Sequence, residues 1–204
     1  MVHYMDATGD QLAAAIGTRI RAGRLARKFT LDQMAERSGV SRRMIVKVEK
    51  GEANPSVGTL LLLGGALGIG LPSLVGERDG VSPEVTLSGD GTVLWTSPAG
   101  GSGVLLAGTP APDVLALWQW TLAPGDVHKS DAHSPGTREI LHVISGMVTI
   151  TLTGEPLQLS TGDTLTFAGD QPHSYANPGS EIATFSLTVS EPDVGAPHPG
   201  NRHA

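Results

Sequence analysis

The chain has 204 residues, enough for one or two domains with cores of their own, and it contains no cysteine, which excludes disulfides, thiolate metal sites and a catalytic thiol. Its formal charge of −6 argues against an indiscriminate nucleic-acid binder. That charge is unevenly spread: residues 1–76 hold 10 Lys/Arg against 6 Asp/Glu, a net +4, whereas residues 77–204 hold 4 against 14, a net −10. Such asymmetry predicts two modules, one facing phosphates and one not. The longest apolar stretch, residues 60–71, is interrupted by Gly64, Gly65, Gly68 and Gly70 and falls short of the ~20 residues a membrane span needs. Asp6, Asp10 and Arg19 break up any signal-like start, so a cytoplasmic location is expected.

The first module reads as helical. Residues 11–27 place Leu12, Ile16, Ile20 and Leu25 among arginines, the pattern of an amphipathic helix. Thr30 caps a second helix, 31–38, with Met34 and Ala35 facing inward, and Gly39 supplies a turn that tolerates positive φ. Ser41 caps a third helix, 42–50. Ile45 and Val48, three apart, are its buried positions, which leaves Arg42, Arg43, Val46 and Lys47 on the exposed side. Gly51 ends that helix, Pro55 and Ser56 open a fourth over 57–67, and 71–75 forms a fifth.

Two short helices joined by a tight Ser-Gly-Val turn, the second opening on a capping serine and an arginine pair, make the layout of a DNA-reading helix-turn-helix. Residues 12–75 resemble the Xre family, which includes the phage lambda-type repressors, through MAERSGVS, the VEKGEANPS segment and the apolar fourth helix. The resemblance implies double-stranded operator DNA as partner, with Ser41, Arg42, Arg43 and Lys47 as base-reading side chains. The chemistry agrees, since an arginine fork matches guanine O6 and N7. Backbone amides near Asn54, at the start of the fourth helix, suit phosphate oxygens. One position departs from the family: Leu31 stands where many members carry a DNA-contacting Gln, and Gln33 is not its equivalent. Arg24 and Glu49 match a pair that is internal in the family, and are expected to be structural.

Residues 77–83 are polar and turn-rich and read as a linker. Beyond them helical periodicity gives way to short β-prone runs at 92–96, 104–107, 114–122, 140–144, 147–153, 164–167 and 182–189, separated by Gly, Pro, Asp and Ser clusters. Many short strands with turn signals point to a sandwich or barrel. Strand parity puts Leu141 and Val143 on the face of Glu139, Tyr175 on that of His173, and His142 on the opposite face from Glu139. Trp118 and Trp120 share a face; core packing or a dimer seam is preferred for them over a cavity wall. His128 is assigned to ordinary hydrogen bonding. The tail, 191–204, is rich in Pro, Gly and His and reads as disordered.

Two segments resemble the paired motifs of the cupin family: GDVHKSDAHSPGTRE from Gly125 followed by Gly146, and GDTLTFAGDQPHSYAN from Gly162. The resemblance implies a jelly-roll barrel and an inward cluster at Asp131, His133, Glu139 and His173. Two features depart from the family: Asp131 replaces the first histidine, and five residues separate His133 from Glu139. His133, Glu139 and His173 form a donor set suited to Zn, Fe, Mn or Ni. The same cluster with Asp131 and Tyr175 also suits a small organic effector. The whole is therefore expected to be an α + β two-domain chain. An all-α lambda-repressor-like bundle over 11–76 is followed by an all-β cupin over 84–190, together forming a ligand-sensing homodimeric regulator and not an enzyme. The alternative is a mononuclear iron epoxidase acting on phosphonates, an activity known in proteins of the same two-part architecture. Only Lys129 and Arg138 are available within 84–190 to clamp such a substrate.

Overall fold

A computed structural model describes residues 4–76 and 83–195; residues 77–82 of the expected linker and 196–204 of the expected tail lie outside the described residues. Helix α1 spans Tyr4–Ala26, beginning well before the amphipathic pattern, and buries Ile16 and Ile20 with Leu12 partly covered. Leu25, expected on the same face, is instead 54% exposed, because nine residues beyond Ile16 carry it to the opposite side of the helix. α2 (Leu31–Ser38) starts in a full capping box: the Thr30 hydroxyl accepts from the Gln33 amide, and the Gln33 side chain accepts from the Thr30 amide. It ends on Gly39, whose φ of 70° is the left-handed geometry that only glycine adopts without strain.

α3 (Arg42–Glu49) opens on Ser41, whose hydroxyl accepts from the Met44 amide at 3.3 Å, and buries Ile45 and Val48. α4 (Val57–Leu67) is capped by Ser56 and buries Leu60, Leu63 and Leu67, and α5 is the short Leu71–Val75. Across the bundle Arg24 donates both Nε and Nη2 to the Glu49 carboxylate at 2.6 and 2.8 Å. That bidentate pair is nearly buried and raises the Arg24 pKa, so both groups are structural.

The second half holds ten strands in two antiparallel sheets: β1 (Thr92–Thr96), β2 (Ser102–Gly108), β3 (Val114–Leu122), β4 (Val127–Ser130), β5 (Arg138–Ser145), β6 (Met147–Thr151), β7 (Leu157–Ser160), β8 (Thr164–Ala168), β9 (His173–Ala176) and β10 (Ala183–Glu191). The larger sheet runs β1-β2-β3-β10-β5-β8 and the smaller β4-β9-β6-β7. Among the described residues no strand pairs across from one sheet to the other, so the domain is a two-sheet jelly roll rather than a closed barrel. Inward rows cross the larger sheet in register: Ala116–Val189–Glu139–Phe167, then Trp118–Leu187–Leu141–Leu165. On the outer face the corresponding row is Leu117–Thr188–Ile140–Thr166, with Leu117 and Ile140 exposed.

The two halves meet at a close seam. A Cβ on Gly70 would lie 2.6 Å from Val114 Cγ2, and one on Gly108 would collide with the Pro72 ring. α5 therefore sits directly on the ends of β2 and β3, and α4 passes over the adjoining opening between the sheets.

Candidate DNA surface and β-domain cavity

On the helical half, Arg42, Arg43 and Lys47 are exposed along α3, with exposed Asn54 just before α4. The helix buries Ile45 and Val48 behind them, so the cations project away from the core. Arg42 Nε rests 3.1 Å from Asp32 Oδ1 on α2, with both side chains mostly in solvent. An exposed pair of this kind is worth under about 1 kcal/mol and yields readily to a phosphate or a base. Leu31 is half-buried and packs on the core, and Gln33 is committed to the Thr30 cap, so both side chains are already engaged away from DNA.

In the β half, residues far apart in sequence converge between the sheets. Glu139 comes from β5 of the larger sheet, His173 and Tyr175 from β9 of the smaller, and His133 from the β4–β5 loop. His133 Nε2 and His173 Nε2 lie 3.1 and 3.4 Å from Glu139 Oε1. Tyr175 donates its hydroxyl to Glu139 Oε2 at 2.6 Å, and its oxygen is 2.9 Å from His173 Nε2. His173 Nδ1 donates to the Gln171 carbonyl at 2.8 Å, which sets its tautomer and turns Nε2 toward the cluster.

Electrostatics follow from burial against pairing. Burial alone would lower the His133 pKa, but the Glu139 carboxylate 3.1 Å away outweighs it and leaves it raised. Burial would raise the Glu139 carboxyl, yet His133, His173 and Tyr175 hold it below the usual range. Both directions describe one ion pair, imidazolium on carboxylate. Burial, with the Glu139 charge, holds the Tyr175 phenol protonated well above its ordinary range, so it acts as a donor.

Despite the short separations, Glu139 Oε1 receives no aligned hydrogen bond, and neither His133 Nδ1 nor Trp120 Nε1 has a partner among the described residues. Three ligand atoms, His133 Nε2, Glu139 Oε1 and His173 Nε2, therefore gather around a point with a carboxylate oxygen left over. This donor set fits a divalent cation. Asp131 is not among them: it is exposed, with Oδ2 turned toward Gly58 of α4, because its place on the loop faces the helical half.

Above this cluster lies a cavity of about 30 Å³ walled by Trp118, Trp120, His128, Tyr175 and Glu191 and roofed by Leu61 of α4 and Leu71 of α5. The two tryptophans thus pack the core and wall a cavity at once. His128 differs from its expected role, since it stacks among Trp95, Trp120 and Tyr175, and burial lowers its pKa to about 4. Glu191 falls in the expected tail, but it closes β10 with its side chain buried in the cavity wall, where burial raises its carboxyl pKa. A signal for it exists: Ala183, Phe185, Leu187 and Val189 alternate inward, and the next inward position is Glu191.

Comparison with known proteins accords with this anatomy. The helix-turn-helix family model matches residues 20–74 and the cupin domain model matches residues 118–190. Over 185 residues the chain is 25% identical to the HTH-type transcriptional regulator SutR of Escherichia coli, covering 90% of this chain and 98% of that one. Over 69 residues it is 41% identical to the immunity repressor protein of Bacillus phage phi105, covering 34% of this chain and 48% of the repressor. The crystal structure of an HTH_3 family transcriptional regulator from Vibrio cholerae shares the fold, with a TM-score of 0.69 at 24% identity over 90% of this chain and 99% of that one. Among the described residues no helix is long and apolar enough to cross a membrane. With its helix-turn-helix at one end and its two cupin motifs folded around a shared cluster at the other, the chain joins a helix-turn-helix domain of the Xre type to a C-terminal cupin domain.

Proposed function

We propose that the chain is a cytoplasmic, homodimeric transcriptional regulator that binds a two-fold operator through α3 and takes a small-molecule effector in its β domain. The observation that carries the DNA reading is the exposed row Arg42, Arg43 and Lys47 behind a Ser41 cap, on a half with net charge +4. Two-fold operators need two such heads about one helical turn apart, hence a dimer. The uncharged outer row Leu117–Thr188–Ile140–Thr166 is the surface best suited to pair the copies.

The effector site is the cavity. Its walls are aromatic and aliphatic, and Trp120 Nε1 and His133 Nδ1 are buried without partners among the described residues. The ligand class is a small amphipathic molecule with an apolar body against the tryptophans and polar atoms for Trp120, His133 and Glu191. His133, Glu139 and His173 are the residues that would hold a divalent cation of the Zn, Fe, Mn or Ni class, and such a cation would supply a Lewis-acidic anchor for a ligand oxygen or nitrogen. Metal analysis of wild type and His133→Ala tests this part: metal retained equally by both removes the cation from the reading. Sensing is favoured over phosphonate epoxidation because Lys129 and Arg138 are both exposed and neither lines the cavity.

The deciding experiment on the main reading is binding to the gene's upstream DNA at fixed salt. Loss of specific binding in Arg42→Ala/Arg43→Ala with the fold intact is the expected result. Wild-type affinity in that variant would remove α3 as the recognition helix.

A further inference from the structure

The cavity and its roof together say more than where an effector sits. At about 30 Å³ the space between the sheets holds a water or two, whereas sites that bury a small organic ligand run to several hundred Å³. A second space of about 630 Å³ lies immediately outside, between α4 and the β4–β5 loop, and is of ligand size. Among the described residues the two spaces share only Leu61 of α4 and His133 of the β domain in their linings. One side chain from each half therefore borders both the outer cleft and the inner cavity.

We propose that the interdomain cleft is the effector's binding vestibule, that Leu61 and His133 form the gate to the inner cavity, and that an effector seated there wedges α4 and α5 off the double sheet. The proposal deepens the effector-site reading above and rests on it. Volume decides it. A ligand of even six heavy atoms cannot enter 30 Å³ while Leu61 and Leu71 remain seated, and close-packed walls do not stretch. The larger sheet behind Trp118 and Trp120 is held by nine register pairs between β3 and β10, while the roof meets it through side-chain packing alone, closest where Gly70 faces Val114 and Gly108 faces Pro72. The roof is the part that yields. Because α4 belongs to the same small bundle as α3, effector binding alters the placement of the recognition helix within a single chain, without a relay through the dimer interface.

The first test uses the full chain and needs neither effector nor DNA. Because the protein has no cysteine, a Gly70→Cys/Val114→Cys pair reports whether the roof is seated. A Cβ on Gly70 would lie 2.6 Å from Val114 Cγ2, the position open to a sulfur at 114, and the φ of −65° at Gly70 accepts a side chain. Ala116 lines the cavity on β3, so Ala116→Leu is a built-in wedge. In the wild-type background the pair should oxidise to the disulfide readily. Adding Ala116→Leu should slow disulfide formation at least fivefold and speed amide exchange in α4 and α5 at least tenfold, with β3 and β10 keeping their protection. A folded Ala116→Leu protein with wild-type cross-linking and exchange overturns the wedge.

Should that variant not fold, Leu61→Trp fills the gate from the half-buried helix side, with Leu62→Trp as its control, since Leu62 lines the outer cleft only and is 53% exposed. Unseating by the tryptophan at 61 and not at 62 supports the gate, and equal behaviour of the two overturns it. At fixed salt, the oxidised cross-linked protein and the wedge variant should then differ at least fivefold in affinity for the upstream DNA. Equal affinities sever the roof from DNA reading. A protein that shows the wedge response but binds no upstream DNA refutes the regulator reading alone, so the two failures are distinguishable.

Discussion

The helical half and the β half carry function in opposite ways. The proposed recognition surface is local: Ser41, Arg42, Arg43 and Lys47 fall within seven consecutive residues, and a cap plus two buried positions set their direction. The cavity is nonlocal, since it joins Glu139 of one sheet to His173 of the other and to Glu191 at the end of the last strand. A local surface depends on helix caps and on charge, whereas a nonlocal one depends on burial and on partners. The two halves should therefore fail differently under substitution, pH and salt.

The largest expected effect is in the β half. Glu139→Ala leaves His133 and Tyr175 buried without their shared carboxylate and should lower the unfolding free energy by about 3 kcal/mol in urea titrations. A loss below about 1 kcal/mol would show that the cluster is not a cooperating unit. Next, in the helical half, Arg42→Ala/Arg43→Ala should weaken specific DNA binding by roughly 100-fold, from about 1–3 kcal/mol for each base-reading arginine, with the melting temperature nearly unchanged. An equal loss for nonspecific DNA would recast the arginines as phosphate contacts.

Acid should separate the halves again. The folded pKa of His128 is lowered to about 4, so the unfolded chain takes up its proton first as pH falls. Stability from this group is full above about pH 6.5 and drains away by about 3 kcal/mol toward pH 4. His128→Phe should flatten that part of the pH–stability curve, and an unchanged curve would assign the acid sensitivity elsewhere. Smaller still, Thr30→Ala removes half of a capping box and should cost about 1 kcal/mol in the helical half alone, read by circular dichroism melting. Asp32→Ala frees Arg42 from an exposed pair and should change stability by less than about 0.5 kcal/mol. A larger drop would give that pair a structural role.

The same contrast explains what the sequence makes legible. α2 and α4 are readable to the residue because Thr30, Gly39, Ser56 and Gly68 signal their ends through local hydrogen bonding and backbone conformation. In the β half β1 and β3 are equally plain, since their β-prone runs are unbroken. β4, β7 and β9 are not: each has four residues, too few for an alternating pattern to stand out. They all belong to the smaller sheet, where β4 and β9 are organised by pairing with each other across a long stretch of chain. The role of His128 is hidden for that reason, since it depends on β4 facing the tryptophans. Glu191 escapes notice because a strand read from its apolar residues stops one inward position too soon. The roof formed by α4 and α5 carries no sequence signal, as Leu61 and Leu71 look like ordinary core positions of a bundle.

The seam itself has a bearing on how such proteins are recombined. Pro72 resting on Gly108, and Gly70 on Val114, make a fitted joint whose two sides lie in different halves of the chain. A chimera that grafts this β domain onto another DNA-binding head would bring the tryptophan walls and the histidine cluster but leave Leu61 and Leu71 behind. Its binding chamber would lack a ceiling. Transplanting the proposed ligand response would therefore require moving residues 57–75 along with the sheets, which puts the boundary of the proposed sensor inside the helical bundle.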